Sequence, residues 1–169
     1  AAERGRILAR LGHLVLEHKD ELATLEAQDV GKPYRQARAD VLALARYMEF
    51  YAGAADKLHG ETIPYLDGYT VYTLRAPHGV TGHIIPWNYP MQIIGRSVGA
   101  ALATGNACVL KPAEEACLTA LAFAELANKA GLPDGALNVV PGLGSEAGAA
   151  LTRHKGVHHI SFTGSVEVG

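Results

Sequence analysis

The sequence predicts an α/β protein, with a parallel β-sheet that carries helices on both faces, preceded by N-terminal helices and a projecting β-hairpin. Two observations carry the prediction. From Gly79 onward, short apolar runs alternate with helix-period segments, the order of elements that a parallel sheet requires. Before Gly60, apolar residues instead recur every three or four positions, the period of a helix that buries one face.

Each element follows from its residues. Arg4 to Glu17 places Ile7, Leu8, Leu11, Leu14 and Val15 at helical spacing, and Asp20 to Asp29 adds Leu22 and Leu25 before Gly31 and Pro33 stop it. A third helix, Tyr34 to Lys57, steps Ala37, Val41, Leu44, Met48, Tyr51 and Ala55 along one face. "TIPYLDGYTVYTLRAP" then holds an Asp67-Gly68 turn and a β-rich stretch from Tyr69 to Arg75, which reads as a hairpin. It lacks a matching apolar partner nearby, so it is expected to project and pair with another subunit or a distant segment. Beyond it, "GVTGHII" is a strand, Pro90 opens a helix through Leu102, and "ACVLK" is a second strand. Leu118 to Ala130 is a helix, "ALNVV" a strand, Ser145 to Arg153 a helix, and "VHHISF" a strand that reaches Thr163-Gly164-Ser165. The expected division is helices over 1–58, hairpin over 59–77 and sheet over 78–169.

Composition narrows the partners. The 169 residues are 49% hydrophobic and 19% charged, ordinary for a globular chain with one sizeable core. A net charge of −2 without a dense Lys/Arg block argues against nucleic acid or an anionic membrane and toward a small molecule. Two cysteines, Cys108 and Cys117, make no disulfide framework and suit a reducing, cytoplasmic compartment. No apolar run approaches bilayer length, and the first residues lack a signal-peptide pattern. The chain opens "AAERG" without Met and closes "FTGSVEVG", and neither end reads as a natural terminus.

In an open parallel sheet, ligands bind beyond the carboxyl ends of the strands. Those positions here are Pro86-Trp87-Asn88, Lys111-Pro112-Ala113-Glu114, Pro141-Gly142-Leu143-Gly144 and Thr163-Gly164-Ser165. Pro86 and Pro90 stiffen the corner around Asn88, whose amide is either a turn-former or a fixed donor aimed at chemistry. Lys111 and Glu114 are either a surface ion pair or a sugar-binding pair, and the proline between them at a strand end favours the second. Gly142, Gly144 and Gly148 miss the spacing of the dinucleotide glycine fingerprint by one residue, which favours a tight turn with Ser145 as helix cap. Ser165 is expected to cap a new helix whose free N–H groups suit a pyrophosphate. Cys108, inside a strand, reads as a buried structural thiol, and Cys117 opens a helix. His158 and His159 alternate across a strand, and no metal site is expected.

Four blocks in register, "GVTGHIIPWNYP", "ALATGNACVLKPAEEA", "GLPDGALNVVPGLGSEAG" and "HHISFTGSVEVG", resemble the NAD(P)-dependent aldehyde dehydrogenase superfamily over nearly the whole chain. The resemblance implies a truncated form of that fold, with a Rossmann-like dinucleotide-binding sheet that lacks the common glycine fingerprint and a hairpin that forms homo-oligomers. It also implies NAD(P)-dependent oxidation of an aldehyde to a carboxylic acid through a cysteine thiohemiacetal. Asn88 then holds the oxyanion. Ile85, Pro86 and Trp87 line the passage beside the nicotinamide ribose, Lys111 and Glu114 bind the adenosine ribose, Gly144 approaches the adenine, and Ser165 meets the pyrophosphate. Phe162, Thr163 and Gly164 shape the turn, and Ala113, Gly148 and Val168 join the cofactor contacts. Glu114 repels a 2′-phosphate, which favours NAD, while Lys111 leaves NADP open.

The family's nucleophilic cysteine and general-base glutamate fall downstream of Gly169, and neither Cys108 nor Cys117 aligns with the nucleophile. The resemblance therefore implies that the catalytic domain is absent from these residues, and the 169 residues alone are expected to be inactive. Tyr89 stands where the family commonly has Phe. The alternative is a non-catalytic nucleotide-binding or assembly module.

Overall fold

A computed structural model describes all of residues 1–169. Three helices, α1 (Ala2–Glu17), α2 (Lys19–Val30) and α3 (Tyr34–Ala54), open the chain. Leu8, Leu11 and Val15 of α1 and Val41, Leu44 and Met48 of α3 are all essentially solvent-free, so the predicted apolar faces meet one another. Gly5 permits the close crossing, because a Cβ there would stand 2.7 Å from the Ala52 carbonyl oxygen.

The hairpin follows as β1 (Thr62–Ile63) and β2 (Val71–Tyr72), antiparallel, with Thr62 opposite Tyr72 and Ile63 opposite Val71. The expectation is corrected here. The β-rich stretch finds its partner in the residues just before the turn, and only two residues on each side form a ladder. Thr73 extends the pairing through its N–H to the Glu61 carbonyl at 2.8 Å and its hydroxyl, which accepts from Glu61 N–H at 2.9 Å.

The sheet contains β3 (Val80–Ile84), β4 (Ala107–Lys111), β5 (Leu137–Val139) and β6 (His159–Phe162), all parallel, in the order β5-β4-β3-β6. Helices α4 (Pro90–Ala103) and α5 (Leu118–Lys129) make the first two crossovers. Both pack into the same core as α1 to α3, with Met91, Ile94, Val98, Phe123 and Leu126 buried beside Leu110 and Cys108 of β4. Helix α4 sits deep because it is small where it meets α3. A Cβ on Gly95 would stand 2.6 Å from the Tyr47 ring, and one on Gly99 2.7 Å from Met48 Cε. Arg4 and Arg10 of α1 cap the far ends of these helices, donating to the carbonyls of Ala103 at 3.1 Å and Ala130 at 2.9 Å.

The third crossover returns across the sheet on its other face. A π-helical turn (Gly144–Gly148) runs into α6 (Ala149–Arg153), whose Leu151 lies 3.1 Å from where a Cβ on Gly82 would be. Ser145 does not cap this helix. The turn begins earlier, at Leu143, whose carbonyl accepts from the N–H groups of Glu146, Ala147 and Gly148 at 3.1, 2.9 and 3.5 Å. Gly142, at φ +153°, makes the entry that a side chain would resist. After β6 the expected helix is a single turn, closed by Gly169 N–H to the Ser165 carbonyl at 3.2 Å. No helix of the chain is long and apolar enough to cross a membrane.

Candidate active site

The strand order sets the place. The chain moves outward from β3 to β4 to β5, then returns to the opposite side of β3 as β6, so the connections diverge between β3 and β6. A crevice opens at such a switch point beyond the carboxyl ends of the strands. Here it is a cleft of about 490 Å³.

Twelve of the fourteen residues expected to form the site line this cleft. From the end of β3 come Ile85, Pro86, Trp87 and Asn88; from the end of β4, Lys111, Ala113 and Glu114; from the end of β6, Phe162, Thr163, Gly164, Ser165 and Val168. Gly144 and Gly148 lie outside it. A Cβ on Gly148 would touch Ile84, which lines the cleft, at 3.9 Å. Ile84 and Glu115 also line the cleft. Their position directly at the strand ends was the signal that would have found them.

Three loops are tied together at their roots. Ile85 N–H donates to the Lys111 carbonyl at 3.1 Å, and Thr163 N–H donates to the Ile84 carbonyl at 3.0 Å. Beyond Ile85 the corner is exposed and held otherwise. Trp87 is 55% exposed, no backbone bond fixes Trp87 or Asn88, and the Asn88 amide has no partner within the chain. Pro90 begins α4 at once, and Ile93 N–H takes the Tyr89 carbonyl at 3.1 Å. The amide thus stands free at the cleft, between Pro86 and the start of α4.

Lys111 and Glu114 are an unequal pair. Their Nζ–Oε2 separation is 2.9 Å, with the lysine side chain 3% exposed and the glutamate 40% exposed. A surface ion pair would expose both ends, so only half of that reading survives. The Lys111 hydrogen bond, then Glu114's own backbone N–H, hold this carboxyl below the ordinary range. The result is an ionised acceptor turned to the cleft over a buried cation. Gly164 is required on the opposite side, since a Cβ there would meet the Phe162 ring at 2.6 Å.

The thiols are elsewhere. Cys108 is fully buried within β4, accepts from the Thr81 hydroxyl at 3.6 Å, and has its pKa pushed up to about 11 by burial. Cys117 is half-buried at the start of α5. Neither lines the cleft.

One cluster behind the corner was not anticipated. Lys32, in the link between α2 and α3, places Nζ 2.7 Å from Glu26 Oε1 and 2.8 Å from Asp40 Oδ2, with side-chain exposures of 8%, 0% and 2%. Glu26 stands four residues after Leu22 and Asp40 three after Ala37, so both carboxylates occupy core-facing positions of otherwise apolar helix faces. That displacement of charge into an apolar stripe was the available signal.

Such a sheet, with its ligand crevice between β3 and β6, defines the class of dinucleotide-binding α/β proteins. The chain belongs to the aldehyde dehydrogenase family, whose model matches residues 1–169. It is 52% identical over its whole length to a hydroxyisobutyraldehyde dehydrogenase of Mycolicibacterium austroafricanum, of which it covers 34%. Among solved structures, it is similar to a candidate aldehyde dehydrogenase from Burkholderia cenocepacia, with 71% identity and a TM-score of 0.99, over 99% of this chain and 35% of that one. An NAD+ complex of aldehyde dehydrogenase from Bacillus cereus matches with 47% identity and a TM-score of 0.97, over 99% of this chain and 34% of that one. The chain therefore spans about a third of the length of the relatives it matches.

Proposed function

We propose that this chain is the cofactor-binding and oxyanion-holding part of an NAD-dependent aldehyde dehydrogenase, which oxidises an aldehyde to a carboxylic acid. One observation carries the reading. A free amide, a buried ammonium under an exposed carboxylate, and a glycine-serine turn converge on one cleft at the sheet's switch point. The Bacillus cereus relative with NAD+ bound supports the cofactor.

These residues fit a dinucleotide. Glu114 accepts from ribose hydroxyls, with Lys111 as the donor beside it, and Ser165 with the N–H groups of its turn suits the pyrophosphate. Ile85, Pro86 and Trp87 flank the nicotinamide ribose, Gly144 approaches the adenine, and Ala113, Gly148, Phe162, Thr163, Gly164 and Val168 shape the walls. NAD supplies acceptance of a hydride when bound. Asn88 donates its N–H to the aldehyde oxygen as that oxygen gains charge, without having to leave another partner first. In this reading 1–58 and 78–169 belong to the cofactor domain, and 59–77 is an arm between subunits.

The test is NADH formation by the full-length protein with NAD and a panel of aliphatic and aromatic aldehydes. Absence of turnover with every aldehyde sinks the reading. Glu114 also sets the cofactor choice through like-charge repulsion of a 2′-phosphate. Glu114→Ala is expected to reduce the NAD over NADP preference in kcat/KM by about tenfold, close to 1.4 kcal/mol. An unchanged ratio removes Glu114 from this role.

The hairpin supports a homo-oligomer, since it leaves Tyr65, Leu66, Tyr69, Tyr72 and Leu74 each at least 60% exposed. Replacing these five by Ser in the full-length protein is expected to reduce its assembly to smaller units by light scattering. Retention of the parent mass counts against an arm between subunits. The two unpaired cysteines, one buried and one half-buried, also favour a cytoplasmic setting in this reading.

A second reading rests on the absence of either cysteine from the cleft. The 169 residues by themselves act as a nucleotide-binding module without catalysis. Calorimetry of this polypeptide with NAD tests it, and no heat at millimolar cofactor rejects it.

A further inference from the structure

We propose that Lys32 is a positioning residue that holds the Asn88 corner through the face of the Tyr89 ring. The inference rests on the oxyanion reading of Asn88, and it assigns the cause of that residue's fixed placement.

The corner needs such a support. Between the Ile85 N–H and the Tyr89 carbonyl, no backbone hydrogen bond restrains the chain, and Asn88 and Trp87 are both exposed. Two prolines limit φ at their own positions and Pro90 keeps Tyr89 out of helical geometry, but the dihedrals of Trp87 and Asn88 are left to other contacts. Tyr89 supplies these contacts. Lys32 Nζ lies 4.7 Å from its ring centroid, and Gln36 Nε2 donates to its hydroxyl at 2.7 Å.

Lys32 is itself buried and doubly paired, which makes it an anchor rather than a passing surface charge. An ammonium has three N–H donors. Two are taken by Glu26 Oε1 and Asp40 Oδ2, leaving one direction for the ring. Burial strengthens the attraction between a cation and the negative face of an aromatic ring. Asp40 extends the anchor to the other flank of the corner, since its Oδ1 accepts from Gln92 Nε2 of α4 at 2.7 Å. Both residues next to the corner's exit, Tyr89 and Gln92, are thus tied to one buried charge cluster on α2 and α3. The ring face carries the contact, so a phenylalanine at 89 would preserve it.

The test uses the full-length protein, with propanal and benzaldehyde as substrates and hydrogen exchange of the 84–93 segment measured without cofactor. Tyr89→Leu removes the ring and leaves the buried cluster intact. Lys32→Met removes the cation. Each is expected to speed exchange at the Ile93 N–H, which donates to the Tyr89 carbonyl, and to lower kcat about tenfold while the KM for NAD holds. Tyr89→Phe is expected to stay within threefold of the parent in both measurements. In an Asn88→Ala background the kcat loss from Tyr89→Leu is expected to vanish, because it acts through that amide. If Lys32→Met fails to fold, Tyr89→Leu carries the test, since Tyr89 is 36% exposed.

Unchanged exchange in Tyr89→Leu overturns the proposal, as does a kcat loss of equal size with and without Asn88. Full turnover by Asn88→Ala instead overturns the oxyanion reading, and the exchange rates then decide alone whether the ring holds the corner.

Discussion

Asn88→Ala in the full-length protein is expected to lower kcat by 10² to 10³ while leaving the KM for NAD within about twofold. The magnitude is that of one lost donor at a developing oxyanion, about 2.7 to 4 kcal/mol. Three features of the chain favour the upper part of that range. The amide has no competing partner, Pro86 and Pro90 bound the short corner that carries it, and it stands at the cleft where the strand ends converge. A donor already aimed costs no reorganisation at the moment of reaction, and that is where most of its worth arises. The split between kcat and KM matters more than the size. A turn-forming asparagine would weaken cofactor binding and stability together, because the corner also carries Ile85 to Trp87. Steady-state kinetics with a thermal melt of the same sample separates the two, and a normal kcat would return Asn88 to the role of a turn residue.

Much of this arrangement was legible in residues alone, for a physical reason. Strands buried on both faces read as short apolar runs, and prolines and glycines mark their ends, so "GHIIPWNYP" and "HISFTGS" locate the crevice. Long helices were equally plain, since α1 and α3 carry apolar residues every three or four positions along one face. What escaped was governed by details that periodicity does not encode. The start of the π-helical turn at Leu143 rather than Ser145 depends on the backbone of Gly142. The hairpin's partner was missed because Thr62 and Ile63 are too short a run to register as a strand. Lys111 and Glu114 read as a sugar-binding pair, yet the surface-pair alternative stayed open because a sequence does not report that the lysine stem is buried while Glu114 is not.

The cluster behind the corner escaped for a different reason, and it yields the second large effect. Glu26, Lys32 and Asp40 each look ordinary, and only the packing of α2 against α3 brings two carboxylates onto one ammonium. Burial raises Glu26 from 4.5 to about 7, against the pull of Lys32, and its Oε2 has no partner at all. Burial also pulls Lys32 down, but the hydrogen bonds to Asp40 and Glu26 outweigh it and leave its pKa above the ordinary value. Lys32→Met is therefore expected to destabilise the full-length protein by about 3 to 5 kcal/mol near pH 8, the usual consequence of removing one partner from a buried charge cluster.

The pH dependence has a definite sign. A carboxyl whose folded pKa lies above its unfolded one favours the folded state below about pH 4.5, and that advantage fades as pH rises through 7. For Glu26 the rise corresponds to about 3 kcal/mol. Without Lys32 the attraction that opposes burial disappears, so the folded pKa of Glu26 climbs further and the penalty at high pH grows. At pH 5.5 the carboxyl is neutral in the folded parent and variant alike, and the ammonium is missed less. Urea midpoints of parent and Lys32→Met at pH 5.5 and 8.5 measure the difference. The gap between the two proteins is expected to be larger at pH 8.5, and equal gaps would mean that Glu26 stays ionised across the range. Adding Glu26→Gln to Lys32→Met is expected to flatten the dependence, since the group that must lose its proton in the apolar interior is then gone.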